Sequence, residues 1–154
     1  MNDGYIIRKK IRLDNDLYSR DGAYFITICT KDRKKILSEI RRVGDDAHIV
    51  PTPIGRLVEK HLQSIPGMDK YVIMPNHIHM IIRIADGPMW ASAPTQPIPS
   101  RVRSFKILVT KTLGTSIFQR SYYDHIIRNQ ADYDDVYRYI EENPMRWEQD
   151  ELYV

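Results

Sequence analysis

Lys70-Tyr71-Val72-Ile73-Met74-Pro75-Asn76-His77-Ile78-His79-Met80-Ile81-Ile82-Arg83-Ile84 reads as two apolar strands joined by a Pro75-Asn76 turn. A connection that short permits only antiparallel pairing, so the sheet is not purely parallel. Alternate residues of a strand share a face. His77 and His79 therefore point one way, with Ile81 next in line, while Ile78, Met80, Ile82 and Ile84 point into a core beneath helices. Working outward, Tyr24 to Thr30 is a strand rich in β-branched and aromatic residues, preceded by Gly22 and followed by the charged run Lys31-Asp32-Arg33-Lys34-Lys35. A helix is predicted from about Pro53 to Ile65, capped by Thr52, with Ile54, Leu57, Val58, Leu62 and Ile65 as its apolar stripe. A second runs from a Ser100 cap to about Leu113, with Val102, Phe105, Leu108 and Val109 facing the core. Ile117-Phe118 is a candidate short strand. The last helix starts near Asp132 and ends at Asn143, because Pro144 cannot continue it. Strands interleaved with three helices predict an α+β sandwich, an antiparallel sheet with helices packed on one face.

The chain has 154 residues, enough for one domain that buries roughly two thirds of its unfolded surface. A single domain over 1–154 is expected, with a Pro-rich loop at 86–100 carrying Pro88, Pro94, Pro97 and Pro99. A single cysteine, Cys29, precludes an internal disulfide and suits a reducing compartment. No run approaches the ~18 apolar residues of a membrane span, and Met1 to Tyr5 lacks the shape of a signal peptide, so a cytoplasmic location is expected. The net charge of +3 is segregated: residues 8–42 carry a balance of +6, 43–130 of +4, 131–154 of −6, with Asp3 accounting for the rest. A basic body with an acidic end admits a polyanion partner, and equally an ordinary solvated surface.

Two imidazoles on one strand face can offer ring nitrogens to one divalent cation, but a third ligand must come from elsewhere. On the last helix, Tyr133, Val136, Tyr137 and Ile140 recur at helical spacing and read as the core stripe. Tyr139 lies roughly 110° from the middle of that stripe, and Asn143 lies one turn further on, about 40° from Tyr139 around the helix. A phenol so placed is either a boundary residue with a wetted hydroxyl or a nucleophile able to attack phosphorus.

These residues, with their neighbours, resemble the single-tyrosine HUH transposases, in the branch of the REP-associated tyrosine transposases. The resemblance lies in His77-Ile78-His79 with Val72-Ile73-Met74-Pro75-Asn76 before it, in Gly22-Ala23-Tyr24-Phe25-Ile26-Thr27-Ile28-Cys29-Thr30, in the stretch Gln119 to Asn129, and in Tyr139-Ile140-Glu141-Glu142-Asn143-Pro144 followed by Trp147. It covers nearly the whole chain. It implies a ferredoxin-like fold, a metal held by His77, His79 and Asn143, and Tyr139 as nucleophile. The implied activity is cutting and rejoining of single-stranded DNA through a 5′-phosphotyrosine, beside a DNA hairpin. Mg²⁺ or Mn²⁺ suits that role, as a phosphate-binding Lewis acid with open coordination positions. The resemblance leaves both a monomer and a homodimer open.

A strand approaching the sheet would cross a basic surface, for which Lys31, Arg33, Lys34 and Lys35, and Arg101, Arg103 and Lys106, are the expected DNA contacts. Tyr122 and Tyr123 are each suited to base stacking or to core packing. His125 has no chemical role legible in the sequence. Two other readings stand beside the transposase: a nucleic-acid-binding module with little catalysis, and a metal-dependent phosphodiesterase in which water attacks. The first gives binding without cleavage, the second cleavage without a protein–DNA adduct.

Overall fold

The computed structural model describes residues 22–84, 96–150 and 152–153. Ten residues of the expected Pro-rich loop, 86–95, lie outside them. The strands are β1 (Gly22–Cys29), β2 (Ser38–Val43), β3 (Asp46–Pro51), β4 (Met68–Ile73), β5 (His77–Ile84) and β6 (Tyr123–Ile127). The helices are α1 (Pro53–Leu62), α2 (Ile98–Leu113) and α3 (Gln130–Glu142). A four-stranded sheet has the order β4-β5-β1-β6, antiparallel throughout, and β2 and β3 form a separate hairpin. The α+β class and the β4–β5 hairpin are as expected from the sequence.

Helices cover both faces of the sheet. On one face Tyr24, Ile26 and Ile28 of β1 and Ile78, Met80, Ile82 and Ile84 of β5 pack against Val58 and Leu62 of α1 and Val102, Phe105 and Val109 of α2. On the other, Ala23, Phe25, Val72 and Ile81 meet Val136 and Ile140 of α3 together with Trp147. The expectation of helices on one face thus holds for α1 and α2, while α3 lies across the sheet from them. The reason is written in β1: residues Ala23 to Cys29 are buried without alternation, which a strand covered on both sides requires.

Local chemistry sets the helix ends. Thr52 caps α1, its Oγ1 accepting from the Gly55 N–H at 3.0 Å and donating to the Ile36 carbonyl at 2.6 Å. Asn129 caps α3 by accepting from the Asp132 N–H at 2.8 Å, two residues before the expected start. α2 begins at Ile98, not after Ser100, because Pro97 and Pro99 suit a first turn that needs no N–H donors. It ends at Gly114, whose φ of 79° is the left-handed cap glycine tolerates. Leu108 and Leu57, expected in the core stripes, are exposed on the outer sides of their helices. Ile117-Phe118 forms only a single bridge, Phe118 to Thr30.

α1 approaches the chain before β2 so closely that a Cβ on Gly55 would lie 1.9 Å from the Leu37 carbonyl oxygen. Gly55→Ala should therefore lower unfolding stability by about 1–3 kcal/mol, the usual range for overpacking, and chemical denaturation would measure it. A wild-type midpoint in that variant would contradict the packing. Burial also pushes the Cys29 thiol up to about 11, so native protein should resist iodoacetamide at pH 8.5 and react once unfolded.

Candidate metal and tyrosine centre

The register of β5 on β1 sets the site. Cys29 pairs with His77 and Thr27 with His79, so Thr27 and His79 stand side by side on the α3 face. Thr27 Oγ1 lies 2.7 Å from His79 Nδ1. His77 Nδ1 lies 2.8 Å from Asn76 Oδ1, and Asn76 Nδ2 donates to the Leu152 carbonyl at 2.7 Å. An amide oxygen only accepts, so His77 Nδ1 carries the proton and its Nε2 keeps a lone pair. Both Nε2 atoms are buried with no hydrogen-bond partner, and both histidines are at most 1% exposed.

Asp150, just beyond the 3-10 turn Trp147–Gln149, brings Oδ2 to 3.4 Å from His77 Nε2. Ligand atoms of His77, His79 and Asp150 all lie within 4.8 Å of one another. Burial would raise the Asp150 carboxyl, but His77 and the Leu152 N–H, 2.8 Å from Oδ1, outweigh it and hold the group below its ordinary value. His79 is held well below the usual histidine range, first by burial and then by His77, which keeps it neutral at pH 7. Two imidazole nitrogens and one carboxylate, converging within 4.8 Å, fit a divalent cation. Sequence reasoning missed Asp150, since the acidic C-terminal end read only as a charge run. Asn143, the expected third ligand, is buried at the C-cap of α3, and its Oδ1 also has no hydrogen-bond partner.

Tyr139 is half-buried on the side of α3 that faces the histidines. Its ring centroid is 5.3 Å from that of His79 and 6.0 Å, edge-on, from that of Phe25. Val136 and Ile140 are the fully packed residues of α3. Of the two tyrosines expected in the core, Tyr133 is partly buried against it and Tyr137 is exposed, both on the other flank of the helix. Tyr133 donates to Asp69 Oδ2 at 2.5 Å, and the exposed Tyr137 lies beneath the Lys70 ammonium. The imidazoles thus meet Tyr139 of their own chain and neither of the other two tyrosines. Trp147 closes the opposite side, its ring 5.9 Å from His77 and 5.0 Å from Tyr153.

The expected basic residues divide. Lys31, Arg33, Lys34 and Lys35 are exposed, at the end of the sheet where the Thr30 N–H donates to the Asn76 carbonyl. Arg101 departs from the expectation of a DNA contact: it is buried, and its guanidinium donates to the carbonyls of Gln96 and Pro66. Lys106 donates to the Gln119 carbonyl at 2.7 Å and caps the chain there. With Arg103, both lie on α2, across the sheet from the histidines. His125 faces α3, its Nε2 3.1 Å from Asp132 Oδ2, and ties β6 to the first turn of that helix.

Mn²⁺ titration followed by the free-ion EPR signal should find a single bound ion, with binding lost in His77→Ala and His79→Ala. Thr27→Val, which removes the partner of His79 Nδ1, should weaken binding about 10- to 100-fold. Equal affinity in Thr27→Val and wild type would mean that the hydroxyl does not orient the ring.

No protein-family model matches the chain. An uncharacterized protein of Haemophilus influenzae (strain ATCC 51907 / DSM 11121 / KW20 / Rd) is 35% identical over 178 aligned residues, covering 99% of this chain and 97% of that protein. Among solved structures, a REP-associated tyrosine transposase bound to a REP hairpin superposes with a TM-score of 0.65 at 22% identity, over 90% of this chain and 74% of that one. The fold is therefore that of the solved transposase, and the chain belongs to one family with the Haemophilus influenzae protein.

Proposed function

We propose that this chain is a metal-dependent single-stranded DNA endonuclease and strand transferase, with Tyr139 as nucleophile. The observation that carries the reading is the convergence, on one sheet face, of two buried unpartnered imidazole nitrogens, the Asp150 carboxylate and the Tyr139 ring. His77, His79 and Asp150 would hold a divalent cation, Mg²⁺ or Mn²⁺, with Asn143 as a further oxygen donor. Such an ion, when bound, supplies a Lewis-acid contact to a non-bridging phosphate oxygen.

The chain's residues do the rest. Thr27 and Asn76 fix the imidazole rings so that both Nε2 atoms point inward. Phe25 and His79 hold the Tyr139 ring, and α3 fixes its backbone, so the phenol is positioned before substrate arrives. Tyr139 Oη forms a bond to phosphorus, the bond from phosphorus to the 3′ oxygen breaks, and the phenol's proton is replaced by one taken up on the departing 3′ oxygen. A 3′ hydroxyl of the same or another strand reverses the step. One ester replaces another, so no nucleotide hydrolysis is required. The solved transposase with its bound hairpin supports a hairpin-bearing strand as substrate. The position of Tyr139 beside His79 of its own chain supports a monomer as the active unit. No helix among the described residues is long and apolar enough to cross a membrane.

The test is a denaturing gel with labelled hairpin-bearing single strands from the gene's own flanks, in Mn²⁺ or Mg²⁺. Wild type should form a covalent protein–DNA adduct that is absent from Tyr139→Phe and from His77→Ala, while Tyr139→Phe still binds the strand. Cleavage that persists in Tyr139→Phe without an adduct would replace this reading with a water-using phosphodiesterase. Binding without any cleavage would leave a binding module.

A further inference from the structure

We propose that the cleft lined by Lys31, Arg33, Arg120 and Tyr123 holds the single strand beside the cleavage centre, with one unpaired base stacked on Tyr123 and phosphates on the three cations. The proposal rests on the strand-cleavage reading and adds to it where the substrate runs.

Register is the first argument. Thr27 pairs with His79 on one side and with Tyr123 on the other. The three residues form one row across the sheet, their side chains on the same face, with Tyr123 roughly 10 Å from His79 across two strand spacings. The neighbouring tyrosine is excluded by the same alternation: Tyr122 points to the opposite face and is buried in the α1–α2 core.

Charge is the second. The cleft has a volume of about 870 Å³ and is bounded by Lys31, Asp32, Arg33, Gln119, Arg120, Ser121 and Tyr123. Its three cations outnumber the lone carboxylate of Asp32. The ion pairs found among the described residues engage none of the three. A groove of cations beside a half-buried tyrosine that lines it is the chemistry of single-strand binding: phosphates take the charge, and any base stacks.

Backbone strain is the third. Asp32 and Arg33 have φ values of 56° and 54°, the left-handed region disfavoured for residues with a Cβ. Neither is glycine, and such strained residues persist only where the surrounding structure holds them. This turn directs Lys31 and Arg33 to the same cleft as Arg120, which comes from a separate part of the chain.

The experiment is fluorescence anisotropy with a 5′-labelled dT12 strand and metal-free protein, so that binding is read without cleavage. Tyr123→Leu should weaken binding about five- to hundredfold, the range that loss of one stacked base implies, and Tyr123→Phe should restore it. Arg33→Gln and Arg120→Gln should each reduce the slope of log K against log salt by about 0.7. Wild-type affinity in Tyr123→Leu, or unchanged slopes in both arginine variants, would overturn the proposal. If wild type still forms the Tyr139 adduct in that case, the cleft alone is wrong. If wild type neither binds dT12 nor forms an adduct with hairpin strands, both readings fall.

Discussion

The pairing of β1 with β5 is the constraint on which the molecule depends. Eight residues of each strand are in register, from Gly22 against Ile84 to Cys29 against His77. A slip of one residue would turn every side chain of one strand to the other face. His77 and His79 would then enter the apolar core with Val58 and Phe105, and Ile78 and Met80 would face Tyr139. Neither core would accept the exchange, since buried imidazoles without polar partners are costly. The cores on the two faces thus hold the register, and the register holds the site.

This two-sided burial also explains what the sequence did and did not disclose. The β4–β5 hairpin was legible because Pro75-Asn76 interrupts two apolar runs, and the histidine pair because alternation in β5 is strict. The position of α3 was equally present in Phe25 and Ala23, apolar residues on the face that a one-sided sandwich leaves wet, but a short apolar strand does not say which helix covers it. The β2–β3 hairpin escaped because its strands are mostly polar and partly exposed, although Gly44, at a φ of 62°, sits in the two-residue turn between Val43 and Asp46. Arg101 looked like a surface cation, and no single-sequence pattern announces that a guanidinium will be spent on carbonyls of Pro66 and Gln96. Asp150 could not be found by spacing at all, because its ligand atom arrives through a turn packed on Trp147, 71 residues from His79 in the chain.

The three tyrosines of α3 show how packing divides identical side chains. A helix presents a face about 100° wide to its sheet, and here Val136 and Ile140 occupy its middle. Tyr133 and Tyr137 fall on the β4 side, where Asp69, Arg83 and Lys70 meet the phenol or the rings: Tyr133 with Asp69 and with Arg83 over its ring, Tyr137 with Lys70. Tyr139 falls on the other side and meets the neutral His79 ring. Counting from Tyr133 places the stripe too far toward Tyr137. Asn143, buried one turn beyond Tyr139, shows that the packed face instead runs through 136, 140 and 143.

The polar corner under α3 is unusual in what it leaves unpaired. Buried polar atoms in native proteins nearly always have partners, yet the Nε2 atoms of both histidines, an oxygen of Asp150 and an oxygen of Asn143 have none. His77 Nε2, with the proton on Nδ1, and the two oxygens are acceptors, so hydrogen bonds among these three cannot satisfy them. A divalent cation would satisfy them together, and burial, which holds His79 neutral, keeps its imidazole able to join such a set. The corner thus suits a cation and is unsatisfied as a protein core. That asymmetry separates a site from a well-packed polar network, and Thr27 and Asn76, each meeting one imidazole at Nδ1, leave both Nε2 atoms facing inward.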